Sequence, residues 1–191
     1  MTGPDSLTEY PACNSSVFDT PWSPLHGVPF RGAFNFFVAL SIARANGYIG
    51  AMARIDDIID DFEYLEEWED RYRYVIELGK ALPDLPDSEK TAENKVRGCA
   101  SQVWLVTEAG EGRDPVLTFR GDSDAHIVRG LVAIVLAIYS GRPASEVAGL
   151  DALETFRKIG MIEHLSAQRA NGLRSMVGRI QAEATARMAA V

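Results

Sequence analysis

Cysteine is scarce in this chain: Cys13 and Cys99 are the two in 191 residues. Two do not make a disulfide framework, and a lone thiol is the ordinary state of a reducing compartment. Basic charge is short as well, with 19 Lys and Arg against 27 Asp and Glu and a net charge of −8. Such a balance repels phosphate backbones and argues against nucleic-acid binding. No apolar run reaches the roughly 18 residues of a membrane span. The nearest, "AFNFFVALSIA" (33–43), has the length of a signal-peptide core. However, Asp5, Glu9 and Asp19 precede it with only Arg31 as a positive charge, the wrong flank for secretion. A cytoplasmic protein bound to neither membrane nor nucleic acid is the expectation. Also missing are a CxxC pair and a phosphate-cradling GxxxxGK[ST] loop.

What is present has the composition of a globular domain, 47% hydrophobic and 24% charged. Residues 1–33 carry Pro4, Pro11, Pro21, Pro24 and Pro29, a density that interrupts both helix and sheet. Residues 34–50 suit a short apolar helix. From Ile55 to Ile76 apolar residues recur every three or four positions with acids between, which predicts one long helix or two in sequence, ending near Leu82. The segments "QVWLVTE" and "VLTFRG", parted by "AGEGRDP", read as a β-hairpin with a long turn. The stretch "HIVRGLVAIVLAIY" is apolar almost all round, as a helix buried on most sides must be, and is expected to pack on the hairpin. Helices around "ASEVAGL", around "LETFRKIG" and from Ser166 onward complete an α+β order.

Three stretches invite chemistry. Cys99 follows Gly98 and precedes Ala100 at the entrance to a strand, small neighbours that leave the sulfur approachable. Lys95 and Arg97 stand close enough in sequence to favour the reactive thiolate. On pattern alone a buried structural cysteine fits equally well. "GDSDAH" sets Asp122, Asp124 and His126 together, and a hydrolase using Cys99 with His126 is one reading. The same Asp and Ser residues suit the N-cap of the following helix, and capping is the expectation here. "DDIIDD" (56–61) resembles a magnesium-binding run, but no second acidic helix faces it in the sequence, and acids near a helix start already complement its dipole.

Four stretches in this order resemble the SufE family: "DFEYLEEWEDRYRYVIELGKALPDLP", "ENKVRGCASQVWLV", "FRGDSDAHIVRGLVAIVLAIYSG" and "EHLSAQRANGLRSMV". The resemblance covers 53–191 and implies a SufE/NifU-like α+β fold, a small antiparallel sheet packed against several helices. It leaves 1–52 as an N-terminal extension without counterpart, either an upstream in-frame start or a tail of this lineage. Cys13 in that extension is expected to take no part.

By resemblance, Cys99 matches the family's persulfide acceptor. The implied function is a sulfur carrier that takes persulfide sulfur from a SufS-type cysteine desulfurase and stimulates it. The sulfur then passes to an Fe–S scaffold such as a SufBCD-type complex. PLP would belong to the desulfurase, with no cofactor or metal on this chain. Asp124 and Arg169 match positions near the cysteine or the partner surface, the bland alternative being a helix cap and its ion-pair partner. Gly98 is the expected hinge of a loop that hides the sulfur and presents it. A non-catalytic adaptor with an incidental cysteine is the remaining alternative.

Overall fold

The computed structural model describes residues 54–189, so the extension, the helix expected over 34–50 and Cys13 lie outside the described residues. The apolar periodicity resolves into two helices, α1 (Ile55–Tyr64) and α2 (Trp68–Ala81). Leu65 between them is buried in extended conformation. Its carbonyl accepts a 2.7 Å bond from Arg71 Nε, which satisfies a group that the end of α1 would otherwise leave open. In α1 the acidic run has a local role at Asp61, which accepts a 2.5 Å bond from the Tyr74 hydroxyl of α2.

The hairpin is β1 (Val103–Ala109) against β2 (Val116–Ser123), antiparallel, with Val103 opposite Ser123 and Ala109 opposite Leu117. A short β3 (Arg142–Pro143) adds to the other edge of β2. Val103 and Leu105 of β1 and Leu117 and Phe119 of β2 alternate inward, as one buried face of a sheet requires. Against this face lies α3 (His126–Tyr139), buried at nearly every position as its sequence predicts.

Helix α2 packs on α3 from the side away from the sheet, and the crossing is tight. A Cβ on Gly130 would stand 2.0 Å from the Val75 carbonyl oxygen, and one on Gly79 would stand 2.6 Å from the Gly130 nitrogen. Two bare backbones are what allow the approach. After β3 come α4 (Ala144–Gly149), α5 (Ala152–Lys158) and the long α6 (Ala167–Ala189), which packs on α3, α4 and α5. Trp68 at the head of α2 stacks at 3.7 Å on His164, in the turn leading into α6. Among the described residues the architecture is α+β, six α-helices with a three-stranded antiparallel sheet, as expected. Among the described residues no helix is long and apolar enough to cross a membrane.

Gly130→Ala therefore has no relaxed solution, because the obstacle is main chain rather than a side-chain tip. The expected outcome is a loss of about 3 kcal/mol, the upper end for overpacking, read from a urea midpoint. An unchanged midpoint would mean that α2 and α3 do not cross this closely.

Candidate functional site

The chain before β1 folds back on the strand. Val96 N–H donates to Val103 O at 2.8 Å and Leu105 N–H to Asn94 O at 2.8 Å, with Lys95 bridged to Trp104. These bonds close a neck, and residues 97–102 form the loop beyond it, with Cys99 near its tip. The loop is pinned a second time at Gln102. Its N–H donates to the Asp124 carboxylate at 2.9 Å, and its carbonyl accepts from Ser123 Oγ at 2.8 Å. Asp124 is thus not a helix cap: Ala125 holds that position, with no side-chain cap bond of its own and its N–H donating to Ser123 Oγ at 3.3 Å. Strand β2 runs through Ser123, which aims these polar groups across the sheet at the cysteine loop instead.

Asp122, the other acid of the motif, is buried. It accepts from Ser123 N–H at 2.8 Å and pairs with Lys90 at 3.0 Å and Arg129 at 3.3 Å. Burial pushes its carboxyl up, but the bond from Lys90, the Ser123 N–H and the Arg129 charge together hold it below the usual carboxylate range. It ties the connection after α2 to α3 and β2, a structural role.

Cys99 is half-buried, and its Sγ rests on α6. The thiol donates to the Gly172 carbonyl at 3.6 Å, and a Cβ on Gly172 would stand 3.0 Å from Sγ. Beside it is a cavity of about 20 Å³, walled by Val128 and Leu131 of α3 and Leu173 and Met176 of α6, with Arg169 in its lining. That volume admits about one water-sized atom. Burial pushes the Cys99 thiol up from its ordinary value, and no cation counters the shift. Lys95 and Arg97, expected to favour the thiolate, do not act on it. An extended strand would set 95, 97 and 99 on one side, but the chain turns at Arg97–Gly98 with positive φ at Gly98, so that alternation does not carry the cations to the sulfur.

The remaining expectations divide. Arg169 stands beside the cavity with Cys99 but makes no ion pair with Asp124 among the described residues. His126 is exposed at the start of α3, and no histidine lines the cavity, so the Cys99–His126 arrangement of a hydrolase is not assembled. Gly98 has φ +87°, and a Cβ there would come within 2.7 Å of Ser175 Oγ. The resting loop itself therefore requires glycine at 98, whether or not it also turns there. Sequence reading missed Gly172. Its signal was a glycine inside an otherwise strong helix, which costs about 1 kcal/mol relative to Ala and marks a close approach.

Gly172→Val occupies the place of the sulfur and should drive the Cys99 side chain outward. The expected result is faster alkylation of Cys99 near neutral pH and a midpoint of the pH–rate profile that falls toward the ordinary thiol value of about 8.5. In the wild type burial is expected to hold the midpoint above that value. Identical profiles would mean that the thiol is not held against α6 in solution.

A sequence model described as "Fe-S metabolism associated domain", SufE, matches residues 56–184. An "Uncharacterized SufE-like protein" of Rhizobium meliloti (strain 1021) is 69% identical over 140 residues, which are 73% of this chain and 100% of the relative. Another of the same description from Rhizobium etli is also 69% identical over 140 residues, 73% of this chain and 95% of that one. In three dimensions the fold is similar to the solution structure of a hypothetical protein from Thermus thermophilus. The TM-score is 0.57 at 17% identity, over 71% of this chain and 96% of that one. On the matched span and the near relatives, the chain belongs to the SufE family of Fe–S metabolism associated domains.

Proposed function

We propose that the protein is a sulfur carrier, loaded on Cys99 by a SufS-type, PLP-dependent cysteine desulfurase that it stimulates. The carrier then discharges to an Fe–S scaffold such as a SufBCD-type complex. The observation that carries this reading is the setting of the thiol. Cys99 sits near the tip of a loop tied at its neck, with Sγ against an apolar cavity that has room for one further atom.

The chemistry asks little of this chain beyond that setting. The Cys99 thiolate attacks the outer sulfur of the donor's cysteine persulfide. The donor's S–S bond breaks, and its electron pair leaves on the donor cysteine, while a new S–S bond forms on Cys99 Sγ. One sulfur atom moves, the number of S–S bonds is unchanged, and no outside oxidant or reductant is consumed. Only the thiolate attacks, and burial disfavours it, so the sulfur must leave the cavity before it reacts. Returned to the cavity, the loaded sulfur would be screened from water and stray thiols by Leu131, Leu173 and Met176.

Incubation with the desulfurase, PLP and free cysteine, followed by intact mass, is expected to add about 32 mass units to the wild type, one sulfur atom. Cys99→Ser should gain none and should lose the stimulation of the desulfurase. Unmodified wild-type protein with an active desulfurase would overturn the reading, as would a serine variant that still delivers sulfur to the scaffold.

A further inference from the structure

The cations that do not serve the thiolate face elsewhere. Beside the neck of the cysteine loop a groove of about 490 Å³ is lined by Lys95 and Arg97 of the loop and its neck and by Ser175 and Arg179 of α6. One carboxylate, Glu93, joins three cations there, the reverse of the excess of acids in the chain as a whole. Arg179 is committed, its Nε donating to Glu183 at 2.7 Å. Lys95 reaches only the neutral amide of Gln102, at 3.2 Å, and Arg97 makes no ion pair among the described residues. Both are exposed. Their positive charge is thus left for a partner.

The groove also touches the parts that hold the loop down. Arg97 adjoins Gly98, and Ser175 is the residue against which Gly98 packs. Whatever fills the groove therefore lies against the Gly98–Ser175 contact, next to the loop that carries Cys99.

We propose that this groove seats an acidic peptide segment of the sulfur donor, an assignment that rests on the sulfur-carrier reading and adds where the donor takes hold. A donor must bring its persulfide to Cys99, and a seat containing Arg97 leaves its neighbouring surface at the loop tip. An extended acidic segment suits the site better than a small anion does. The available cations line an open groove in sequence along the neck, and the third is already paired with Glu183. Opposite charge across such a seat raises the rate of encounter and fixes orientation, and both effects fade with salt.

The test uses the full chain, its Lys95→Glu/Arg97→Glu double variant, a fluorescent poly-glutamate peptide and a SufS-type desulfurase. At about 0.05 M salt the wild type is expected to bind the peptide about tenfold more tightly than the variant, and the difference should shrink at about 0.5 M. Loading of Cys99 from the desulfurase should slow by a similar factor in the variant. Loading by inorganic polysulfide, which needs no docking, should be equal in the two proteins. Equal peptide binding would overturn the proposal, as would free glutamate competing as well as the peptide. So would a wild-type dimer in sedimentation that the variant abolishes, because a second copy would then fill the groove. Wild type that binds the peptide in this charge-dependent way and loads from polysulfide, yet takes nothing from a desulfurase, would support the acidic-peptide seat and overturn the desulfurase reading alone.

Discussion

A sulfur atom resting on bare helix backbone is the contact on which the rest of the site depends. Cys99 Sγ reaches the carbonyl of Gly172 because α6 has no side chain there. That contact leaves the thiol half-buried, and burial shifts it toward its neutral form. The loop geometry follows from the same demand. To lay Cys99 on α6, the chain turns at Gly98 with positive φ. It is then held by the backbone bonds of 94–96 to 103–105 and by Asp124 and Ser123 at Gln102.

The core keeps the two walls of the cavity in register. Val128 and Leu131 come from α3 and Leu173 and Met176 from α6, so the cavity lasts only while those helices keep their spacing. Helix α3 is fixed on one side by the sheet and on the other by α2, where Gly79 and Gly130 let the backbones meet. Asp122 adds a polar anchor at the same end of the helix. Its bonds to Lys90 and Arg129 satisfy a carboxylate that would otherwise be costly to bury. The site is a loop laid over a seam between two rigid helices.

Much of this was legible because it is local. The alternation of β1 and β2, the turn between them and the apolar surface of α3 are short-range patterns, and each formed where its residues predicted. The break between α1 and α2 was not, because the same apolar spacing serves one helix or two. What decides it is Arg71 reaching back to Leu65, a side-chain bond that spacing does not encode. The motif "GDSDA" misled for a related reason. Short acceptors ahead of an apolar helix look alike whether they cap it or pin a neighbouring strand, and the choice is made by the register that sets Val103 opposite Ser123. Gly172 lies 73 positions from Cys99 in the chain, and only the packed fold brings them together.

The two sides of the loop differ in character. Its inner side meets mostly apolar walls, and Arg169, although in the lining, does not offset the burial that raises the thiol. Its outer side carries Lys95 and Arg97, whose charge stays in solvent. A cation moved inside would have lowered the pKa and made the resting cysteine a nucleophile toward any passing electrophile. With Lys95 and Arg97 kept outside, burial holds the resting thiol toward its neutral form. In the proposed sulfur carrier, lifting Cys99 off α6 breaks the Sγ contact with Gly172 and exposes the apolar cavity, a cost that a partner's contacts with the loop and its neck would offset. In that proposal reactivity is conditional on recognition, and the condition is set by where the two cations do not point.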